Sequence, residues 1–350
     1  MEPPSTLAQP VAPDATPARP PFAVALFMEA AERLGLTARI VDPEFGYLWE
    51  LEWPDGARRT LIGAKTPVND ASAAQICGDK HYCGLVLERT GFGVPETVRC
   101  LSPVYFARGE YADRTGPAPG VAFAARAGYP LVVKPNKLSH GRSVRFVESE
   151  PELLAAIDEV FERDTIALVQ RPATGREFRL DFLDGDFLVG YERAPLVVEG
   201  DGRRTLAELL AAIDARFDDA ESRDTRRAEI ASTEAFGERA AADPGFGFDA
   251  VLAPGERLDF ARGVLNLNRC ATGRVLASVP EPWLAWARRL GDALSLRLLG
   301  VDLRVASLDA DPDTATIIEV NSAPLVNQIA RMGHHELAVE AQRRVLAALR

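Results

Sequence analysis

The chain has 350 residues, 47% apolar and 26% charged, with a formal net charge of −11, the balance of a soluble globular protein long enough for two or three packed lobes. That charge argues against a broad phosphate-backbone interface, which needs clustered Lys and Arg, and no apolar run reaches the roughly 18 residues of a membrane span or forms a signal core behind a basic region. The expectation is a cytoplasmic protein that binds neither nucleic acid nor membrane. Cys77, Cys83, Cys100 and Cys270 show no CxxC or metal-ligand spacing, which predicts reduced thiols and no structural zinc.

Residues 1 to 21 are rich in Pro and Ala and poor in large apolar side chains, so they predict a flexible tail. From Phe22, apolar positions recur at helical spacing through Leu26, Ala30 and Leu34 to a stop at Gly35. A strand follows over 37 to 41, then a hairpin formed by Tyr47–Trp53 and Thr60–Ile62 around Pro54-Asp55-Gly56. A helix over 79 to 90 ends at Gly91, and 97 to 101 reads as a strand. This gives a first α/β lobe over 22 to 115. The next segment, 116 to 195, alternates helix (121 to 127), strand (131 to 134), loop (135 to 142), strand (143 to 147) and helix (151 to 161). Three strands then follow, over 166 to 170, 177 to 183 and 187 to 193. The last segment, 196 to 350, begins with charged helices over 206 to 215 and 223 to 239. It continues with an apolar hairpin over 298 to 305 and 316 to 321, set between helices over 282 to 298 and 335 to 349. The fold class is α/β, more closely α+β, with antiparallel strands backed by helices.

That last hairpin carries the clearest chemistry. Asp302 interrupts one apolar strand and Glu319 and Asn321 interrupt the other; Glu319 and Asn321 share a face by strand alternation, and pairing can bring Asp302 beside them. Three hard oxygen donors suit Mg²⁺, which keeps waters and is completed by substrate phosphates. Lys134 ends an apolar strand and runs into a polar loop containing Ser139, His140, Gly141, Arg142 and Ser143. A lysine in such a strand needs an anion, and the loop offers amides and side chains that can close over a polyphosphate. The loop matches neither the P-loop nor the dinucleotide fingerprint. Gln170, at the lip of an apolar strand, can read an adenine edge, and Glu177 can accept ribose hydroxyls.

In order, the chain shows Asp79-Lys80 opening a helix that ends GFGVP, then VVKPN with HGRSV, ALVQRPATGREFRL, YERAPLVVEGDGRRTLAEL, GVDL and IIEVNSAP. This succession over residues 65 to 330 resembles the ATP-grasp ligases, and within them the ATP-grasp domains of cyanophycin synthetase and of bifunctional glutathione synthetase. The resemblance implies an ATP-grasp fold of three lobes, with ATP held between two subdomains that contain antiparallel sheets. It implies that Lys80 and Lys134 hold the phosphates beneath a lid running from Asn136 through Ser143. Gln170, with Arg171 and Ala173 beside it, falls at the adenine hinge, and Glu177 falls at the ribose carboxylate. Asp302, Glu319 and Asn321 match the holders of two Mg²⁺ ions, for which Mn²⁺ can substitute.

Arg179 and Arg193 occupy strand positions where similar ligases place basic groups near the transferred phosphoryl or the substrate carboxylate; the alternative for each is a structural partner to Asp181 or Glu192. Asn268, Arg269, Arg274 and Asn327 are candidate substrate residues. Three positions depart from the pattern: Ser143 stands where a second Gly is usual, the segment 266 to 274 is longer and richer in Arg, and Leu325 replaces a Gly. All three concern the lid or the acceptor and leave the substrate open. The implied enzyme is an ATP-dependent carboxylate–amine ligase that forms an amide or peptide-like bond through an acyl phosphate. Its partners are a small carboxylate and a small amine, with a homodimer through the first lobe as the default. The alternatives are a phosphotransferase on the same scaffold and a non-catalytic nucleotide-binding module.

Overall fold

The computed structural model describes residues 20–106, 111, 115–139, 141–217, 220–261, 265–267 and 270–350. The predicted tail, apart from Pro20 and Pro21, and the candidate residues His140, Asn268 and Arg269 lie outside the described residues. Helix α1 (Phe22–Arg33) buries Val24, Leu26, Phe27, Ala30 and Ala31, a stripe at helical spacing. Strands β1 (Thr37–Ile40), β2 (Leu48–Glu52) and β3 (Arg58–Ile62) form an antiparallel meander in that order. Helix α2 (Ala71–Gly78), absent from the sequence reading, is capped by Asp70, whose carboxylate accepts from the Ser72 and Ala73 amides. Helix α3 (Lys80–Arg89) follows at once, capped by Asp79 through the Tyr82 amide.

The second sheet is built from β4 (Thr97–Leu101), β5 (Leu131–Pro135), β6 (Arg145–Val147) and β7 (Ile166–Gln170), in the order β4-β7-β5-β6. The intervening helices are α4 (Pro103–Phe106), α5 (Ala118–Ala127) and α6 (Glu150–Phe161). Phe123 of α5 and Leu153, Ile157 and Val160 of α6 close a core with Leu131, Val133 and Val169 of the sheet. Next come the paired strands β8 (Arg176–Leu183) and β9 (Asp186–Pro195). The chain then leaves the sheet to form β10 (Val197–Glu199), α7 (Leu206–Ala211), α8 (Ala220–Ala231), α9 (Glu234–Ala242) and β11 (Arg257–Asp259). This excursion has its own core, including Leu206, Leu210, Ile230, Phe246 and Phe260. It returns as β12 (Ala271–Leu276), α10 (Glu281–Leu294), β13 (Leu298–Val305), β14 (Thr316–Asn321), α11 (Asn327–Arg331) and α12 (His335–Ala347). The resulting antiparallel sheet has the order β12-β9-β8-β13-β14.

Several elements differ from the sequence reading for identifiable reasons. The lobe divisions at 115 and 195 cut across strand pairing, because β4 joins β7 and because β8 and β9 pair with β13 and β12. The charged helix over 223 to 239 is two helices, since Thr233 turns extended and caps α9 through the Phe236 amide. Helix α10 stops at Leu294 because Ser295 adopts the left-handed conformation, φ 56°. The first lobe also shares a core with the last helix: Phe27, Trp49 and Leu51 pack in one cluster with Val339, Val345 and Leu346.

The five-stranded sheet positions the site by having two unlike faces. Phe178, Leu180, Val301 and Leu303 pack into a core with Trp283, Trp286 and Leu290 of α10. Alternation turns Glu177, Arg179, Asp181, Gly300, Asp302 and Arg304 to the other face. Gly300 lies against the buried Arg179–Asp181 pair: a β-carbon there would collide with the Asp181 carboxylate and lie 2.6 Å from Arg179 Nη2 and 2.7 Å from Pro324 Cβ. Gly300→Ala should therefore destabilise the fold by about 1–3 kcal/mol, read as a lower urea midpoint at unchanged m-value. A midpoint equal to the parent's would mean the pair has room to move.

Candidate active site

A cleft of about 280 Å³ opens between α2 and α3, residues 94–97, Lys134 and Gln170 of the second sheet, and the edge strand β14. Lys80 and Lys134 reach it from different elements. Lys80, the first residue of α3, donates from Nζ to the Leu138 carbonyl at 2.6 Å and pairs with Glu319 Oε1 at 3.3 Å. Lys134 Nζ donates to the Ile318 carbonyl at 3.2 Å. Ile318 is the extra residue of a β-bulge, because Asp302 faces Glu319 while Leu303 faces Ile317. Burial pushes the Lys134 ammonium down to about 8, and Glu319 only partly offsets this.

Asn136 binds the two lysine-bearing elements together: its carbonyl accepts from the Lys80 amide and its Oδ1 from the His81 amide at 2.9 Å. With Asp79 taking the Tyr82 amide, the first-turn amides of α3 are already used, so the lysine side chains are the cationic groups left for an anion. The Asn136 side chain is fully buried, and its Nδ2 has no partner among the described residues. Gln170 donates from Nε2 to Thr97 Oγ1 at 2.6 Å, and Thr97 in turn donates to the Pro95 carbonyl at 2.7 Å. That chain leaves Gln170 Oε1 as the acceptor of the amide.

On the charged face of the sheet, opposite charges alternate across strands β13, β8 and β9. Arg179 donates to Asp181 at 2.6 Å and to Asp302 Oδ2 at 3.1 Å. Arg193 donates to Asp302 Oδ1 at 3.0 Å and to Glu177 Oε1 at 2.8 Å, and Arg304 pairs with Glu177 Oε2 at 3.0 Å. Burial works against an ionised Asp302, yet Arg193 and Arg179 hold its carboxyl below the ordinary value. Burial instead pushes the Asp181 carboxyl up, against the pull of Arg179. Asn69, missed in the sequence, clamps one end of the hairpin: its Nδ2 donates to the Leu298 and Ser322 carbonyls at 2.6 and 2.7 Å, and its Oδ1 accepts from the Arg297 and Leu298 amides. Only its place ahead of the Asp70 cap marked it.

The donor set suits a hard divalent cation. Asp302 stands opposite Glu319 and Gly300 opposite Asn321 in the β13–β14 register, so two carboxylates and an amide carbonyl share one face. Among the described residues no group of three or more His, Cys, Asp or Glu converges as a metal cage, and each oxygen of Asp302 already accepts from an arginine.

Other predicted residues lie differently. Glu177 is not among the residues lining the cleft and is held by two arginines. Arg179 does partner Asp181, as its alternative reading had it, whereas Arg193 partners Glu177 and Asp302, not Glu192. Arg171 is exposed and bound to Glu96, and Ala173 enters only through its carbonyl, which accepts from Arg304. Arg274 is drawn off by Glu192 at 2.7 Å on the opposite face of the sheet, because neighbouring residues of β9 alternate. Asn327 opens α11 with its Oδ1 buried and without a partner among the described residues. In the loop predicted to form a lid, Ser139 and Arg142 are exposed, and Gly141 and Ser143 have φ of 68° and 53°. Ser143 thus holds a left-handed conformation that a glycine adopts without cost.

No protein-family model matches the chain. It is 27% identical over 257 residues to cyanophycin synthetase of Geminocystis herdmanii, covering 71% of this chain and 28% of that protein. It is 26% identical over 313 residues to the glutathione biosynthesis bifunctional protein of Desulfotalea psychrophila, covering 86% and 38%. The chain thus spans under two-fifths of the length of either relative. Among solved structures, a bifunctional glutathione synthetase from Pasteurella multocida superposes on 86% of this chain and 40% of its own, with a TM-score of 0.50 and 19% identity. The chain has the ATP-grasp fold. The cleft lies between the four-stranded and five-stranded sheets, and Lys80, Lys134, Gln170 and Glu319 all line it. No described helix is long and apolar enough to cross a membrane.

Proposed function

We propose that the protein is an ATP-dependent carboxylate–amine ligase acting on amino-acid or small-peptide substrates. The observation that carries this reading is the convergence of Lys80, Lys134 and Glu319 on one cleft, with Asp302 facing Glu319 across the hairpin. Two lysines from separate elements neutralise a polyphosphate from two sides. Asp302, Glu319 and Asn321 would hold Mg²⁺, which offsets charge on the transferring phosphoryl group. Gln170 presents an acceptor to the adenine amine, fixed in that sense by Thr97. Glu177 can take the ribose contact implied by resemblance only if one oxygen exchanges an arginine for a hydroxyl.

Arg193, half-buried beside Asp302, is the cation we assign to orienting the substrate carboxylate. That carboxylate attacks the γ-phosphoryl group, ADP leaves, and an amine displaces phosphate from the acyl phosphate. The lid over 136 to 143 keeps water from the intermediate. No nucleophile from the chain is needed, so the residues act by positioning and charge. The four free thiols and the need for ATP fit a cytoplasmic reaction. A homodimer through the first lobe is favoured by the exposed Val41, Phe45, Tyr47 and Ile62 there.

The test is ADP release measured over a matrix of paired amino acids and dipeptides, with mass analysis of the products. ADP formation that requires both an acid and an amine, with a condensed product, is the expected result. A phosphorylated acid as the end product, with no dependence on amine, would make the enzyme a kinase instead.

A further inference from the structure

We propose that Asn266 is the seat on which the loop carrying Gly141 rests, and that Arg216 of the excursion is the positioning residue that fixes this seat and so keeps water out of the amine step. Seat and loop come close: a β-carbon on Gly141 would stand 2.9 Å from Asn266 Nδ2, and Gly141 itself has φ 68°, a conformation glycine adopts freely. The backbone of the seat is tied on both sides. The Asn266 carbonyl accepts from the Cys270 and Ala271 amides at 2.8 and 3.0 Å, and the Cys270 carbonyl accepts from the Leu196 amide at 2.8 Å. Leu267 and Ala271 pack into the core shared by the first lobe and the last helix, whereas Cys270 packs into the core of the excursion. Asn266 therefore sits on a seam between two packed units, where that seam meets the loop.

The excursion holds the seam with a buried ionic network. Asp214 accepts from Arg216 Nη2 at 2.6 Å and from Arg226 Nε at 3.0 Å, and all three side chains are largely withdrawn from solvent. Burial works against an ionised Asp214, yet the two arginines hold its carboxyl below the ordinary value, so the network keeps its charges at neutral pH. Arg216 Nε and Nη2 are both on Asp214, which leaves Nη1, and this donates to the Leu267 carbonyl at 2.8 Å. Arg226 Nη2 comes within 3.5 Å of the Ala271 carbonyl. The planar guanidinium lets one residue serve both the carboxylate and the carbonyl; a lysine ammonium in its place keeps the ion pair and gives up the second reach.

The consequence for the chemistry rests on the ligase reading; the contact and the network do not. An acyl phosphate partitions between amine and water. With the amine, nitrogen bonds to the acyl carbon, the bond from that carbon to the phosphate oxygen breaks, phosphate leaves and the nitrogen gives up a proton. With water, oxygen adds to the same carbon and the same bond breaks, so the acid is regenerated and ATP is consumed without a condensed product. A loop that lies firmly on Asn266 excludes that water. A seat that shifts with Leu267 admits it, and Arg216 acts on the outcome through the backbone it holds.

The experiment compares Asn266→Ala, Arg216→Lys and Phe246→Leu with the parent, all as full chains. Phe246→Leu loosens the core of the excursion without removing a bond of the network or the seat. Trypsin cleavage after Arg142, an exposed residue of the loop, reports the seat in the ligand-free protein. The ratio of ADP to condensed product, over substrate pairs that the parent joins, reports the exclusion of water, and urea midpoints report stability. Loss of the seat, or of the charged hydrogen bond behind it, should speed cleavage by about tenfold. In the same two variants ADP should exceed product by about twofold or more, while the parent releases the two in equal amount. Phe246→Leu should lower the urea midpoint and change neither readout. Cleavage and coupling that match the parent's in Asn266→Ala and Arg216→Lys would overturn the proposal, as would equal changes in Phe246→Leu, which would make them effects of stability. Should the parent make no condensed product, the ligase reading and the role in coupling fall together, while faster cleavage in the two variants would still establish the seat.

Discussion

Glu319→Ala and Asp302→Ala will each stop turnover, and only the second will weaken the fold severely. Both remove a carboxylate from the proposed metal face, and losing charge stabilisation worth several kcal/mol should slow the reaction on the order of a thousandfold. Their surroundings differ. Glu319 is partly open to solvent and forms an ion pair with Lys80 at 3.3 Å, an interaction worth about 1 kcal/mol or less. Asp302 is buried, and each of its oxygens carries an arginine. Removing it leaves Arg179 and Arg193 with unbalanced charge in a sheet interior, a loss of about 3–5 kcal/mol. Urea unfolding read beside ATP turnover separates the two variants. Equal stability would mean that the alternating charges on the sheet relax without Asp302, and near-normal turnover of Glu319→Ala at saturating Mg²⁺ would remove it from the metal site.

Lys134→Met will make the ligand-free protein more stable and cost it nucleotide. The folded state holds this lysine at about 8 against an ordinary 10.5, so below pH 8 both folded and unfolded chains are protonated and the folded one bears the full penalty of a buried cation. Between 8 and 10.5 the folded chain releases the proton while the unfolded chain keeps it, and the penalty fades. Methionine fills a similar volume without charge. The gain should reach about 1–3 kcal/mol below pH 8, less than the full shift implies because Glu319 loses a partner, and should disappear above pH 10.5. Nucleotide affinity should fall on the order of 10- to 100-fold with the loss of a charged hydrogen bond. In the parent protein, binding an anion favours the charged lysine, so ATP binding above pH 8 should take up a proton, visible as a dependence of the calorimetric heat on the buffer. A destabilised variant that still binds ATP normally would contradict both halves.

The parts of the candidate site that are legible in the sequence are those in which a polar residue breaks an apolar strand. Asp302, Glu319, Asn321 and Lys134 stood out because period-two alternation and burial make each a local anomaly. The ionic partners were not legible, because they are set by register between strands far apart in the chain. Nothing near Glu177 announces that Arg193 and Arg304 flank it, and Arg274 looked like a substrate residue until β12 paired with β9 and delivered it to Glu192. Helix boundaries failed where one residue decided them, as at Thr233 and Ser295. Chain order and sheet membership part company at β8 and β9, which precede residue 195 in the chain yet share a sheet with β12, β13 and β14.

The excursion between β9 and β12 bears on how the chain assembles. Its ends meet as sheet neighbours, Pro195 opposite Ala271, so the whole of β10 through β11 is, to the sheet, one oversized turn. Joining distant ends grows costly only with the logarithm of the length between them, and a segment with its own core shortens that distance by collapsing first. Addition of the edge strand β12 to the sheet then waits on that unit, and a lesion in Leu206 or Phe260 would show itself as slow or misregistered closure of β12 on β9.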